Sequence, residues 1–115
     1  MTMRGLVQAT DSPQGFIVSM SADGAATLVG VRGEADYATL PAFVNVLARV
    51  IAEDHGVVVI DLTETVFIDT AIVRAIGRAA EILHERDRQL RLRSPSNLAS
   101  RVLVVFGLSH LVEHG

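Results

Sequence analysis

A change of period in the middle of the chain limits its possible folds more than any other feature. Val57, Val58, Val59 and Ile60 form an unbroken β-branched run, closed by Asp61-Leu62. A short continuous apolar run of this kind suits a strand buried on both faces, which places it inside a sheet. Val66-Phe67-Ile68 add a second apolar group. After Asp69-Thr70 the period becomes 3.6: Ile72, Ala75, Ile76, Ala79, Ile82 and Leu83 fall on one helical face. A strand and its loop must therefore turn into a helix at Asp69-Thr70. Both residues are good N-cap types, because a short side-chain oxygen accepts from the free N–H groups of the first turn. A hydroxyl there also faces solvent and the positive end of the helix dipole. Thr70 is thus either an ordinary cap or an exposed group with a further role.

The flanking segments supply the partners of this unit. Phe16 to Met20 reads as a strand, Asp23-Gly24 as a hairpin turn, and Ala26 to Val31 as the antiparallel return. Residues 1–14 give no clear element; Asp11-Ser12-Pro13 reads as a turn. Pro41 suits a first helical turn, and Leu40, Phe43, Val44, Leu47, Val50 and Ile51 form a helical stripe before Gly56. Gln89 to Arg93 alternates like an edge strand. Ser94-Pro95 reads as the start of a last helix striped by Leu98, Val102, Val105 and Phe106, and Leu108 to Val112 as a short closing segment. The expected order is β-β-α-β-α-β-α, an α/β domain over residues 15–115. Its sheet is mixed, with four or five strands, and right-handed crossovers put the helices mainly on one face.

Composition narrows the chemistry. A chain of 115 residues suits one domain. It has no Cys, which excludes disulfides and thiol chemistry. Its ten basic residues are all Arg, so no lysine can act as a base or form a Schiff base. A net charge of −3 is not the footprint of a nucleic-acid binder. No apolar run is long enough to span a bilayer and the N-terminus lacks a signal-peptide core, so a cytoplasmic location with no membrane partner is expected. His55, His84, His110 and His114 show no HxH or HExxH spacing, and the glycines form no GxGxxG or P-loop. No metal and no cofactor are expected. Asp61, Glu64 and Asp69 could be imagined as paired carboxylates of a small enzyme. Strand-end and cap roles explain them more simply, so no catalytic residue is assigned. Arg74 and Arg78, one helical turn apart, are either a solvated face or a contact face for an acidic partner.

With these residues in view, the chain resembles the STAS domain of bacterial anti-sigma factor antagonists. The resemblance rests on Asp61-Leu62, on Phe67-Ile68-Asp69-Thr70 before a helix, and on Gly33-Glu34-Ala35-Asp36 ending the earlier strand. Ser94-Pro95 and Phe106-Gly107-Leu108 add to it. It covers roughly Gly15 to Val112. It implies a mixed sheet with helices on one side and a module that frees a sigma factor by binding an anti-sigma factor. In phosphorylated members that partner is a serine/threonine kinase, and the phosphorylated hydroxyl maps onto Thr70. Asp36, Asp69, Thr70 and Arg74 are the implied partner-binding residues. The chain departs from the family habit after Thr70, where Ala71-Ile72-Val73-Arg74 stands in place of Ser, or another small residue, followed by Gly-Leu-Gly. Partner binding without phosphorylation, as a signalling or scaffold module, is therefore the alternative.

The helical stripe after Thr70 carries a direct test. Ile76 lies at its centre, so Ile76→Asp buries an unpaired charge and unfolds the domain. A normal cooperative melting transition in that variant would refute the helix assignment.

Overall fold

The computed structural model describes residues 6–11, 16–53 and 56–113. His55, His114 and most of the segment before Gly15 lie outside them. The strands are β1 (Leu6–Asp11), β2 (Ile17–Asp23), β3 (Ala26–Ala35), β4 (Val58–Ile68) and β5 (Leu90–Arg93), and the helices are α1 (Leu40–Ile51), α2 (Thr70–Glu85) and α3 (Asn97–Val105). Single 3₁₀ turns at Tyr37–Thr39 and Ser109–Leu111 complete the chain.

The five strands lie in chain order across one sheet. β1 and β2, and β2 and β3, pair antiparallel, whereas β3 and β4, and β4 and β5, pair parallel. The sheet is mixed, as expected, with one strand added ahead of the expected order. β1 was not apparent from Leu6–Asp11 alone, because its composition lacks a clear strand period. It is an edge strand held by its ladder to β2, from Leu6↔Ser21 to Asp11↔Ile17. Both crossovers, through α1 and α2, step the same way across the sheet, so right-handed connections place both helices on one face. α3 packs there too, against α2 and β4.

Alternation along each strand builds the core. Val18 and Met20, Val29 and Val31, Val58, Ile60 and Leu62, and Leu90 and Leu92 turn inward. They meet Phe43, Val46, Leu47 and Val50 of α1 and Ile72, Val73, Ile76, Ala79 and Leu83 of α2. Ile76 is fully buried. Val59, on the other face of β4, is also buried, so the β-branched run is covered on both sides as its composition required.

Three local expectations are corrected. In α1, Val46 faces the core and Val44 is exposed. In α3, Ala99 and Leu103 face inward while Leu98 and Val105 face out. That helix is apolar around most of its circumference, so period alone could not select its buried face. Its N-cap is Ser96, whose side chain accepts from Ala99 N at 3.1 Å, and not Ser94.

The C-terminal end of α1 depends on a distant cation. Arg88, in the turn between α2 and β5, is buried, and its hydrogen bonds among the described residues go to backbone carbonyls. Its guanidinium donates to the carbonyls of Glu53 (2.6 Å), Gly56 (3.1 Å), Ile51 (3.2 Å) and Val50 (3.4 Å). Arg86 adds a bond to Ile51 O at 2.9 Å. The last carbonyls of a helix lack intrahelical donors and carry the negative end of its dipole, so a planar cation satisfies both needs. Gly56 closes this corner with φ +98°, and a Cβ there would lie 2.5 Å from Ala25 O.

Arg88→Ala would take the guanidinium from the Glu53 and Gly56 carbonyls, while Ile51 O keeps Arg86 and Val50 O keeps Glu53 N. Its expected cost is about 2–4 kcal/mol, which lowers the melting temperature by on the order of 10 °C. Arg88→Lys should recover part of the loss, since an ammonium keeps the charge but not the fork. Thermal denaturation checks both, and an unchanged melting temperature in Arg88→Ala would show that this clamp contributes nothing.

Candidate functional site

The site forms where β3 and β4 end together. Their parallel ladder runs from Thr27↔Val58 to Ala35↔Ile68. Eight steps along β3 match ten along β4, and the excess is absorbed by register shifts between Gly30 and Arg32 and between Gly33 and Glu34. β4 therefore carries two bulges and does not stop at Leu62. The polar Thr63-Glu64-Thr65 stretch, expected as a loop, stays in the strand because β3 pairs with it throughout. Asp61 and Thr63 mark the first bulge, where Asp61 Oδ1 accepts from Thr63 N at 3.0 Å and from the Thr63 hydroxyl. Thr65 Oγ1 donates to Val31 O at 2.9 Å.

The flush ladder end brings the two expected acidic positions side by side. Asp69 N donates to Ala35 O at 2.9 Å, so the next residues of the two strands, Asp36 and Asp69, emerge at one sheet edge. Each is committed as an N-cap. Asp36 Oδ1 accepts from Thr39 N at 3.1 Å, and Asp36 N donates to Thr39 Oγ1 at 2.8 Å, a reciprocal capping box over a 3₁₀ turn. Asp69 Oδ1 accepts from Ala71 N at 3.3 Å and from Thr70 Oγ1 at 3.2 Å. Asp69 is thus the cap of α2, and Thr70 is its first residue, with an exposed side chain. Its hydroxyl stands at the positive end of the helix without being needed to hold that end.

Arg74, one turn along α2, is exposed and lies over the Phe106 ring with its guanidinium carbon 5.6 Å from the centroid. The structure therefore gathers Asp36, Asp69 and Thr70 at one edge, with Arg74 beside them along the helix. Asp61 is not brought in. It sits eight residues before Asp69 on an extended strand, on the order of 20 Å away at the usual rise per residue. Asp61 and Asp69 cannot act as a carboxylate pair. Among the described residues, no group of three or more His, Asp or Glu side chains could hold a metal ion. No described helix is long and apolar enough to cross a membrane.

Sequence reasoning missed the apolar part of this edge. Tyr37 is 76% exposed, Val66 70% and Phe67 44%. Tyr37 follows Asp36 directly, and Phe67 pairs with Glu34 in the last part of the ladder. From sequence, Val66 and Phe67 read only as part of a second apolar group before the Asp69-Thr70 turn. Across the second bulge Ile68 and not Phe67 faces inward, as bulges re-aim side chains, and a bulge cannot be seen before the pairing register is known.

Comparison with known proteins gives a consistent picture. A family model described as "Mlab, STAS domain" matches residues 18–113. No curated protein matches the chain. Among solved structures, an anti-sigma factor antagonist from Mycobacterium paratuberculosis superposes with a TM-score of 0.77 at 21% identity, covering 88% of this chain and 86% of that one. The unphosphorylated anti-sigma factor antagonist SpoIIAA superposes with a TM-score of 0.74 at 14% identity, covering 85% and 87%. The phosphorylated form of the Bacillus protein SpoIIAA superposes with a TM-score of 0.70 at 14% identity, covering 85% and 90%. At these identities the likeness shows the fold.

The cap assignment at Asp69 makes a separable prediction. Asp69→Ala should cost about 1 kcal/mol, while Asp69→Asn, which keeps an acceptor, should cost a few tenths. Chemical denaturation of the two variants checks the order. Equal loss in both would mean that the carboxylate charge, and not the cap bond, stabilises the turn.

Proposed function

The chain belongs to the STAS domain family, its residues 18–113 matching the family model, and on that premise we propose that it is an anti-sigma factor antagonist-like module switched at Thr70. Its partner is an anti-sigma factor in the cytoplasm, one that doubles as a serine/threonine kinase. By binding that partner it regulates transcription indirectly, without touching nucleic acid. The observation that carries this reading is the exposed Thr70 hydroxyl at the first position of α2, beside a cap that Asp69 already supplies. Exposed Tyr37, Val66 and Phe67 provide apolar contact area around it, with Asp36, Asp69 and Arg74 as polar contacts. A protein of the same fold occurs in unphosphorylated and phosphorylated forms, which lends further support.

The physics of such a switch follows from the position. A phosphate on Thr70 adds about −1.5 to −2 charges at pH 7. The free N–H groups of α2 favour an anion there, so the protein's own fold survives. A partner packed over the turn instead meets a dianion in its interface. A desolvated, unpaired charge costs several kcal/mol, and each ~1.4 kcal/mol is a tenfold loss of affinity. The alternative is a module that binds without phosphorylation. The specific observation in its favour is Ala71-Ile72-Val73-Arg74, with an Arg on the helix where the family pattern has a glycine.

Thr70→Ala should keep its stability, because Asp69 holds the cap, and should bind the partner constitutively. Thr70→Glu should fold and bind poorly. The test incubates the protein with its purified cognate anti-sigma factor and ATP, followed by mass spectrometry of the modified residue. If phosphate appears elsewhere, or not at all, while the complex still forms, the protein works without the switch.

A further inference from the structure

Beyond the Thr70 edge, the chain has a second concave surface. An open groove of about 1610 Å³ runs between α2, β5 and the C-terminal segment after α3. Its charge is one-sided. Arg74, Arg78 and His84 enter it from α2, Arg91 from β5 and His110 from the closing 3₁₀ turn, and all are exposed. Glu81 and Glu113 are the lining carboxylates. Glu113 is already engaged, accepting from Arg93 Nε at 2.8 Å, and its hydrogen bond and charge raise the Arg93 pKa. Arg88 is engaged by the α1 carbonyls. Arg91 donates to Gln89, a neutral partner. Among the described residues, then, three arginines share the groove with one unpaired carboxylate, in a chain whose net charge is −3. Arg74 and Arg78, one helical turn apart on α2, repel each other, and an anion set against them relieves that cost.

The shape narrows the class of anion. Arg74 and His84 are ten residues apart on one helix, roughly 15 Å along its axis. An extended chain covers that distance with about five residues. A compact anion such as a phosphate would occupy one part of the groove and leave the rest of its α2 wall, which runs from Val73 to His84, uncovered. The groove also exceeds the roughly 300–1,000 Å³ of a small-molecule site. Its floor is apolar, with Gly77, Leu108, Leu111 and Val112 between the charges. Nucleic acid would fit the cations but would be repelled by the rest of a net-negative chain.

We propose that this groove binds an extended acidic segment of a partner protein, with apolar side chains interspersed among its carboxylates. The segment lies along α2, its carboxylates on Arg74, Arg78 and Arg91 and its apolar side chains on the Gly77–Leu108 floor. This site does not depend on the modification of Thr70.

The test uses the full chain and a fluorescein-labelled peptide of alternating Glu and Leu, about eight residues long so that it covers the groove with residues to spare at each end. Fluorescence anisotropy should show saturable binding that weakens with added salt, and the same peptide with Lys for Glu should not bind. Arg78→Glu combined with Arg91→Glu changes only exposed positions, so its melting curve should match the parent while its affinity falls by at least about tenfold. Amide NMR shifts on titration should cluster at Gly77, Glu81, Leu108 and Leu111. Equal binding by the double variant, or shifts confined to the Thr70 turn, would overturn the proposal. So would ATP, as a compact anion, binding more tightly than the peptide and displacing it.

Discussion

The parallel pairing of β3 with β4 is the constraint on which the rest of the structure depends. Two strands of unequal span must finish level, and bulges in β4 take up the difference. Three consequences follow from that one adjustment. Ala35 and Ile68 become the last pair, so Asp36 and Asp69 leave the sheet together and each can cap the helical turn that follows. Val66 and Phe67 are turned to solvent. The inward parity of β4 is kept, because two extra residues restore a period of two: Leu62 and Ile68 both face the helices. A single bulge would have reversed Ile68 and exposed the entry to α2. The candidate surface is in this sense a by-product of keeping the core in register.

Much of this could be read from the residues. The β-branched run and the helical stripe after Thr70 located β4 and α2, because both signals are local and strong. The parallel crossovers and the one-sided helices followed from element order and handedness. What could not be read was decided by pairing over long sequence distances. β1 is held by backbone bonds to β2, which its composition does not announce. Thr63-Glu64-Thr65 looks like a loop until its partner strand is known. The buried face of α3 is chosen by the surface it meets, since Leu98, Val102, Leu103, Val104, Val105 and Phe106 offer apolar contact in nearly every direction. The role of Arg88 was hidden for the same reason: its acceptors lie 32 to 38 residues earlier in the chain.

The exclusive use of Arg as the basic residue gives one side chain two opposite functions. At Arg88 the planar fork is buried and shared among four carbonyls, a geometry that a compact ammonium cannot match. At Arg74 the same group is exposed and rests on Phe106. An exposed cation–π contact is worth about 0.5–1 kcal/mol, while a hydrogen bond between charged partners is worth roughly 1.5–3 kcal/mol. Arg74 is therefore positioned but not locked, and an arriving carboxylate would outcompete the ring. Arg88, with four of its five N–H groups bonded inside the fold, has little left to offer a ligand.

The same accounting of committed and uncommitted groups applies to the carboxylates around the α2 turn. Catalysis by carboxylates needs a pair held near one reacting atom, with at least one free to exchange a proton. Here Asp36 and Asp69 each hold a helical turn, Asp61 holds a bulge, and Glu64 is paired with Arg32 at 2.9 Å. Among the described residues, no buried side-chain nitrogen or oxygen lacks a partner, so no polar atom is held in reserve inside the fold. The groups left at the surface are of another kind: the Thr70 hydroxyl, bonded only to the neighbouring Asp69 carboxylate, the outward faces of Tyr37, Val66 and Phe67, and Arg74 and Arg78 of the groove. Aromatic side chains and arginines are the types that carry binding energy at interfaces. They lie on the surface, where a second macromolecule can cover them.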